Sequence, residues 1–279
     1  VEHSSLLLRG PLPSLEAPIR TADNRLEFLE VSDMSYRHQR PKSAREAEHA
    51  AAIEGINLRI ERGTLTVITG KIGSGKTTLL QTMLGLLPLQ SGEIRWNGAS
   101  IDDLSGWMVP PRVAYTPQSP NLFSDTLRQN LLLGYPDEAE ELAAAIRGAV
   151  LEDDIRSFPL GLETPIGTRG VRLSGGQMQR TAAARMLVRQ PELLVIDDLS
   201  SALDVETERL LWERLFANGD LTCLAVSHRR AALQRADMVL FMREGKIVAR
   251  GTLEELIATN ADMRELWSVG DAPDELELA

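Results

Sequence analysis

The residues best suited to chemistry lie in a glycine-rich loop that follows a short apolar run. Residues 67–69 are β-branched, and residues 70–77 read G-K-I-G-S-G-K-T, which fits the pattern G-x-x-x-x-G-K-[ST]. Glycines let backbone N–H groups approach an anion closely, and the start of the following helix adds unpaired N–H groups. In this pattern Lys76 reaches the β- and γ-phosphates and the Thr77 hydroxyl binds Mg²⁺. The sequence therefore predicts a phosphate-binding loop rather than a merely flexible turn.

Further candidate residues follow two other apolar runs. Residues 193–196 are typical of a strand buried on both faces and are followed by Asp197 and Asp198. In a chain with a phosphate loop, a carboxylate at this point is the expected second half of a Mg²⁺–nucleotide site, bound directly or through water. Asp198 is then placed to polarise an attacking water. Residues 221–226 end before His228, which is placed to contact the γ-phosphate or has a structural role instead.

A parallel sheet is needed to bring these residues together. Short runs with strand patterns alternate with helical patterns along much of the chain. The predicted strands are residues 26–32, 56–60, 67–69, 93–97, 113–116, 193–196 and 221–226, with an edge hairpin at 238–242 and 247–249. A helical lobe is predicted from residue 125 to residue 158. Because ligands bind at the carboxyl ends of parallel strands, the candidate residues are expected to converge at one edge of the sheet.

The composition excludes some classes of protein. With 279 residues, the chain is long enough for one large domain or two small ones. Its formal net charge of −10 disfavours extended contact with a nucleic-acid backbone, which depends on clustered Lys and Arg. No apolar run reaches the roughly 18 residues of a membrane-spanning helix. The single cysteine, Cys223, excludes an internal disulfide and suits a reducing compartment.

Residues 173–177 read L-S-G-G-Q and, with the motifs above, carry a family resemblance. The chain resembles the nucleotide-binding domain of ATP-binding-cassette (ABC) transporters, in which this pentapeptide is the signature sequence. The resemblance covers residues 26–267 with the motifs in the family's order. The other matches are residues 70–78 with the Walker A loop, Gln118 with the Q-loop, residues 193–197 with the Walker B strand, residues 200–204 with the D-loop, and His228 with the switch histidine.

The resemblance implies an α/β fold with a defined organisation. We expect a P-loop NTPase (RecA-like) core with a largely parallel sheet, an antiparallel β subdomain and a helical subdomain inserted at about residues 120–180. Residues 26–270 are expected to form this nucleotide-binding domain. A linker or N-terminal arm is expected over residues 1–25, and an acidic tail over residues 271–279.

The resemblance also implies which residues act on Mg²⁺-ATP. Residues implied to bind ATP are Tyr36, which would stack on adenine, with Gly70, Gly73, Ser74, Gly75, Lys76, Thr77, Thr78, Ser174, Gly175, Gly176, Gln177 and Asp204. Implied metal ligands are Thr77, Gln118 and Asp197. Implied catalytic residues are Asp198, His228 and Gln118.

The family's mode of action implies two partners. ABC domains dimerise head to tail, so that each ATP lies between one Walker A loop and the signature of the second nucleotide-binding domain. Closure and opening of this dimer drive a transmembrane domain in the same polypeptide or another chain. The resemblance thus implies an ATPase at the cytoplasmic face of the cell membrane, with no nucleic acid as partner. Residues 116–130 are similar to those of exporters.

The sequence departs from the family's pattern at three places. In the exporter segment at residues 164–170, Thr168 replaces the usual Glu, which puts its coupling role in doubt. The polar segment 37–52 places Tyr36 farther upstream of Lys76 than expected. Asp198 replaces the usual catalytic Glu and is one methylene shorter, and a shift of about 1 Å in a positioned group costs on the order of 10²-fold in rate.

Several functions stay open at this point. The first is the ATPase domain of an ABC exporter with slow to moderate turnover, in a homodimer or as the weaker half of a heterodimer. The second is a nucleotide-binding regulatory or structural module with negligible turnover. The third, a soluble ABC protein acting on DNA or ribosomes, is disfavoured by the acidic balance of charge.

Overall fold

The computed structural model describes residues 25–38, 52–167, 170–199, 202–217, 219 and 221–269. Several predicted features lie outside this described part. They are residues 1–24 of the arm, residues 39–51 of the polar segment, Thr168, Ser200 and Ser201 of the motifs, and the tail over residues 271–279. In the part of the chain that the structure covers, no helix has both the length and the apolar character needed to cross a membrane.

Strands and helices alternate along most of the described chain. The strands are β1 Phe28–Arg37, β2 Ala52–Glu61, β3 Leu65–Thr69, β4 Ser91–Trp96, β5 Ala99–Ser100, β6 Val113–Thr116, β7 Leu193–Asp197, β8 Cys223–Val226, β9 Met238–Arg243 and β10 Lys246–Gly251. The α-helices are α1 Lys76–Met83, α2 Leu104–Trp107, α3 Leu127–Leu132, α4 Ala139–Gly148, α5 Glu152–Ser157, α6 Gly175–Leu187, α7 Val205–Leu215, α8 Arg230–Arg235, α9 Leu253–Thr259 and α10 Ala261–Val269. A 3₁₀ turn lies at Gly161–Glu163.

The larger sheet has the strand order β10-β9-β3-β8-β7-β6. Neighbouring strands from β9 to β6 are parallel, and β10 pairs antiparallel with β9 at the edge. The register aligns Val226 of β8 with Ile68 of β3 on one side and with Asp197 of β7 on the other. The carboxyl ends of β3, β8 and β7 therefore lie level with one another.

The central strands are buried on both faces, which explains their largely apolar sequences. Every residue of β3, β7 and β8 is buried. Successive side chains point to opposite faces, so Leu194 and Ile196 enter one hydrophobic cluster whereas Leu193 and Val195 enter the other. The first cluster is completed by apolar side chains of α3, α4, α6 and α7. The second is completed by α1 and the smaller sheet.

The smaller sheet is antiparallel, with the order β2-β1-β4-β5. Its inner side chains, such as Val31 and Ile56, pack with Leu80 and Met83 of α1. A backbone hydrogen bond of 3.0 Å from Glu54 N to Gly245 O ties β2 to the turn between β9 and β10. This sheet therefore covers the helix that follows the glycine loop.

The structure confirms the predicted fold class, with the helices α3 to α6 inserted between β6 and β7. The prediction for β1 was too short. The strand continues to Arg37 through register shifts on either side of Met34, and Asp33 has a positive φ of 51°, so its pattern loses strict alternation. The two-residue strand β5 and the four-residue helix α2 are too short to produce a periodic signal.

The burial of Cys223 gives a direct test of the central sheet. This thiol lies on β8 between β3 and β7, and burial raises its pKa above the ordinary value of a thiol. Because the thiolate is the reactive form, the native chain is expected to react with a disulfide reagent at pH 8 at least about 100-fold more slowly than the chain in guanidinium. Absorbance of the released thiolate measures the rate. Rapid stoichiometric reaction of the native chain would contradict this placement of β8.

Candidate nucleotide site

The glycine loop connects the buried strand β3 to the helix α1. Gly70 follows β3 with a φ of 140°, and a Cβ built there would lie 2.1 Å from the carbonyl oxygen of Met242 on β9. By contrast, a Cβ on Gly73 would have no neighbour within 4 Å. Gly75 is the N-cap residue of α1, and no side chain caps this end of the helix. The first-turn N–H groups of α1 are therefore available to an anion.

Lys76 lies across the loop. Its Nζ donates hydrogen bonds to Gly70 O at 2.8 Å and to Lys71 O at 2.9 Å. Burial lowers the pKa of this ammonium, while the carboxylates of Asp197 and Asp198 act in the opposite direction. The negative charges of Asp197 and Asp198 therefore act on the Lys76 ammonium and favour its charged form.

Thr77 and Asp197, two of the three predicted metal ligands, lie beside each other. Asp197 is 3% exposed, and the Thr77 hydroxyl is within hydrogen-bonding reach of its carboxylate. Burial raises the pKa of Asp197, the hydrogen bond from Thr77 lowers it, and the charge of Asp198 raises it again. The described residues contain no group of three or more His, Cys, Asp or Glu side chains that could hold a metal ion. Hydroxyl and carboxylate oxygens fit Mg²⁺, which keeps several waters and binds substrate phosphates rather than an all-protein cage.

Gln118 and Asp198 meet at the ends of the neighbouring strands β6 and β7. The Gln118 Nε2 group donates a hydrogen bond of 3.1 Å to Asp198 Oδ2. Asp198 is 8% exposed and adopts a left-handed backbone conformation with a φ of 51°. Aspartate tolerates this conformation better than most residues do. The structure therefore brings together two residues that are 80 positions apart in the chain.

His228 is exposed and follows β8. In the sheet β8 lies between β3 and β7, so His228 leaves the sheet between the glycine loop and the two aspartates. Just before it, Ser227 is buried, and its N–H donates to Ile68 O at 3.1 Å. This position is the one that the sequence predicted from topology.

Tyr36 is tied to the glycine loop through strand pairing. It pairs with Ile53 of β2, and a Cβ on Gly75 would lie 3.2 Å from the Ile53 side chain. The added length in residues 39–51 therefore falls between two paired strands and leaves Tyr36 near the loop. The ring is 8% exposed, and His38 packs edge-on against it at 4.9 Å between centroids. Sequence reasoning missed His38, and stacking of Tyr36 on adenine stays a prediction.

The signature residues lie at the start of α6. The Ser174 side chain accepts a hydrogen bond from Gln177 N at 3.2 Å, and Gln177 Oε1 accepts one from Ser174 N at 2.9 Å, which completes a capping box. Ser174 and Gly175 are exposed. Among the described residues no hydrogen bond or ion pair joins residues 174–177 to residues 70–78. Their binding of ATP therefore stays a prediction.

Asp204 is the N-cap residue of α7. Its carboxylate accepts from Thr207 N at 2.9 Å and from Thr207 Oγ1 at 2.7 Å, and it thereby caps α7. The preceding segment is tied to the signature helix because Ala202 N donates to Gln179 Oε1 at 3.0 Å. Sequence reasoning missed Gln179, which lies two residues after the signature. Contact of Asp204 with ATP stays a prediction.

Comparisons with known proteins place the chain in a family. A family model described as ABC transporter matches residues 53–201. ABC transporter aclQ of Aspergillus oryzae is 36% identical over 253 residues, which are 90% of this chain and 30% of that protein. The probable multidrug resistance ABC transporter ATP-binding/permease protein YheI of Bacillus subtilis is 39% identical over 222 residues, which are 77% of this chain and 37% of that protein.

A solved structure agrees with these relatives. The structure of a bacterial Atm1-family ABC exporter with ATP bound superposes with a TM-score of 0.80 and 27% identity, covering 92% of this chain and 44% of that chain. The chain thus spans roughly a third of the length of the curated relatives above. Because the family model covers more than half of the 279 residues, the chain belongs to the ABC transporter family. Its fold and motifs are those of the ATP-binding domain, a class of ATPases.

The contrast between Gly70 and Gly73 tests the geometry of the loop. We expect Gly70→Ala to lower the free energy of unfolding by about 1–3 kcal/mol more than Gly73→Ala does, because its Cβ overlaps the β9 backbone. Both variants carry the cost of a positive φ, so Gly73→Ala is the matched control. Chemical denaturation without nucleotide measures both values. Equal losses would show that close approach to Met242 does not constrain the loop.

Proposed function

We propose that this chain binds Mg²⁺-ATP and hydrolyses it slowly, as the motor domain of an exporter-type ABC transporter. The observation that carries the proposal is the convergence of the glycine loop, Asp197, Asp198, His228 and Gln118 at the carboxyl ends of adjacent parallel strands. Nucleotides bind at this edge of open α/β sheets. Family membership supports the same chemistry.

The loop and the metal residues have separate tasks in this proposal. The N–H groups of the loop and of α1 bind the phosphate oxygens, and Lys76 moves its hydrogen bonds from the loop carbonyls to the β- and γ-phosphates. Thr77, Asp197 and Gln118 would hold Mg²⁺, the first by its hydroxyl and Asp197 directly or through water. Bound Mg²⁺ neutralises charge that develops on the phosphates.

Asp198 is the residue proposed to orient the attacking water. Its carboxylate accepts a hydrogen bond from Gln118, and its backbone is held by a hydrogen bond of 3.0 Å from Asp198 N to Val226 O. Exposed His228 is placed to contact the γ-phosphate. The short side chain of Asp198 leaves its carboxylate farther from the phosphate than a glutamate would reach, so we infer slow turnover.

Partners are inferred from the relatives. The Bacillus subtilis protein is named an ATP-binding/permease protein, and the solved neighbour is an ABC exporter. We propose that this chain likewise works with a transmembrane domain, in the same polypeptide or another chain, at the cytoplasmic face of the membrane. A second nucleotide-binding domain would supply Ser174, Gly175, Gly176 and Gln177 across each ATP.

A nucleotide-binding module with negligible turnover is the second candidate. The observation that favours it is Asp198. Its side chain is one methylene shorter than the family's glutamate, and its carboxylate already accepts a hydrogen bond from Gln118. We favour hydrolysis, because Gln118 and His228 stand at the positions of the family's Q-loop glutamine and switch histidine.

The substitution Asp198→Glu separates the two candidates. We expect it to raise kcat for ATP hydrolysis by about 10- to 100-fold, because the added methylene moves the carboxylate by roughly 1 Å towards the phosphate. The Kd for ATP should change by less than about twofold. Phosphate release by the 279-residue chain gives kcat, and calorimetry gives Kd. Asp198→Asn is the control that removes the charge and should lower the rate.

Two results would contradict this prediction. Equal and negligible rates for the wild type and Asp198→Glu would favour the module. Absence of ATP binding by the wild type would overturn both candidates. Because Glu tolerates the left-handed backbone at this position less well, thermal unfolding of the variant must be recorded alongside its rate.

A second experiment tests head-to-tail dimerisation. In the presence of Mg²⁺ and ATP, Asp198→Asn is expected to run as a dimer in light scattering, since slow hydrolysis leaves ATP between the two chains. Adding Ser174→Arg should leave a monomer that still binds ATP, because the bulky side chain occupies the exposed start of α6. Ser105→Arg, at an exposed position on α2, is the matched control and should dimerise. An ATP-bound monomer for Asp198→Asn itself would rule out the head-to-tail arrangement.

A further inference from the structure

Three consecutive acidic residues of α5 face three different surroundings. Glu152 accepts hydrogen bonds of 2.9 and 3.0 Å from Arg214 of α7. Asp153 is paired with Arg156 on the surface, and its side chain is 93% exposed. Asp154 points to α6, and its side chain is only 14% exposed. No residue of α5 is fully buried; Ile155 packs against the hydrophobic core, and the contacts of Glu152 and Asp154 link the helix to α7 and α6.

The Asp154 carboxylate is held by two side chains of the signature helix. Arg180 donates from Nε to Oδ2 and from the terminal nitrogen to Oδ1, each at 2.9 Å. The Arg180 side chain is also 14% exposed, so this fork-shaped pair is largely shielded from water. Gln177 Nε2 donates a third hydrogen bond of 3.2 Å to Oδ1. All three bonds end on the first two turns of α6.

These contacts fix which way the Gln177 amide faces. A carboxylate accepts hydrogen bonds and does not donate them, so the NH₂ side of the amide must face Asp154. The carbonyl oxygen of the amide then faces Ser174, where it accepts from Ser174 N at 2.9 Å. The same capping box fixes the Ser174 hydroxyl, which accepts from Gln177 N at 3.2 Å. A line of hydrogen bonds therefore runs from Asp154 through Gln177 to Ser174.

We propose that Asp154 is a positioning residue for the signature sequence, acting through Gln177 and Arg180 rather than touching nucleotide. It fixes the direction of the Ser174 hydroxyl and the start of α6, the groups that would meet the γ-phosphate bound by the second domain. The inference rests on the proposed function, because it gives Ser174 a role towards ATP. The proposal predicts that loss of Asp154 slows ATP hydrolysis, which needs the dimer, and leaves the binding of ATP by the chain's own glycine loop unchanged.

The test compares Asp154→Asn with Asp153→Asn, a matched change on the adjacent exposed residue. For Asp154→Asn we expect kcat for ATP hydrolysis to fall about tenfold, in keeping with a small displacement of a positioned group. The Kd for ATP, measured at concentrations where the chain is monomeric, should stay within about twofold. Asp153→Asn should match the wild type in both. An unchanged kcat for Asp154→Asn, or an equal loss of ATP affinity, would overturn the proposal.

Hydrogen exchange gives a readout that does not depend on the proposed function. Without nucleotide, amide exchange in a peptide covering residues 172–180 should be faster in Asp154→Asn than in Asp153→Asn, because the capping box loses its support. Unchanged exchange at residues 172–180 would overturn the positioning role even if turnover falls. Faster exchange in a chain whose wild type has no ATPase activity would instead count against the proposed function alone.

A double-substitution cycle tests whether Asp154 acts through Gln177. Gln177→Met removes the amide that joins Asp154 to Ser174. If the path runs through it, Asp154→Asn should lower kcat much less in the Gln177→Met background than in the wild type. Equal losses in both backgrounds would exclude that path.

Arg180→Lys is the alternative variant should Asp154→Asn fail to fold. It keeps the positive charge but loses the two parallel hydrogen bonds to Asp154. We expect it to lower kcat by a smaller factor than Asp154→Asn, with unchanged ATP affinity.

Discussion

Parallel pairing of β3, β8 and β7 is the constraint on which the rest of the structure depends. Each of these strands is buried on both faces, so each is largely apolar, and its charged groups lie at or just beyond its carboxyl end. The register aligns Ile68, Val226 and Asp197 across the three strands. The glycine loop, His228 and the aspartates therefore emerge side by side, from strands packed between the two hydrophobic clusters.

At this edge of the sheet, burial and neighbouring charges act in opposite directions on the pKa values of Lys76 and Asp197. Burial disfavours the charged form of Lys76 and of Asp197, and Asp198 adds a second negative charge beside them. Within the described part of the site, Lys76 and the hydrogen bond from Thr77 oppose the raised pKa of Asp197. A site of this kind gains from a divalent cation bound together with a polyphosphate, because the cation compensates the carboxylates and Lys76 compensates the phosphates. That balance is the physical reason for proposing Mg²⁺-ATP.

Local patterns predicted the strands of the larger sheet better than those of the smaller sheet, whereas contacts between distant segments escaped them. Continuous apolar runs identified β6 and β7 almost residue by residue, since burial on both faces leaves a plain signal. The bond between Gln118 and Asp198 joins residues 80 positions apart, and no local pattern encodes it. The sequence does not distinguish Asp154 from the adjacent, exposed Asp153. Burial of one neighbour and exposure of the other follows from how α5 packs on α6.

By itself, the sequence determined the class of chemistry. Residues 70–77 indicate a phosphate-binding loop, and the apolar run before Asp197 indicates a carboxylate at a strand end. Both signals are local, because they depend on the conformations open to glycine and on burial of a strand on both faces. Tertiary structure decided how these pieces meet. It paired Tyr36 with Ile53, so the long intervening segment leaves the aromatic ring near the loop. It also gave the Gln177 amide a fixed direction through Asp154. Such arrangements depend on strand register and helix packing, which arise only when the whole core is assembled.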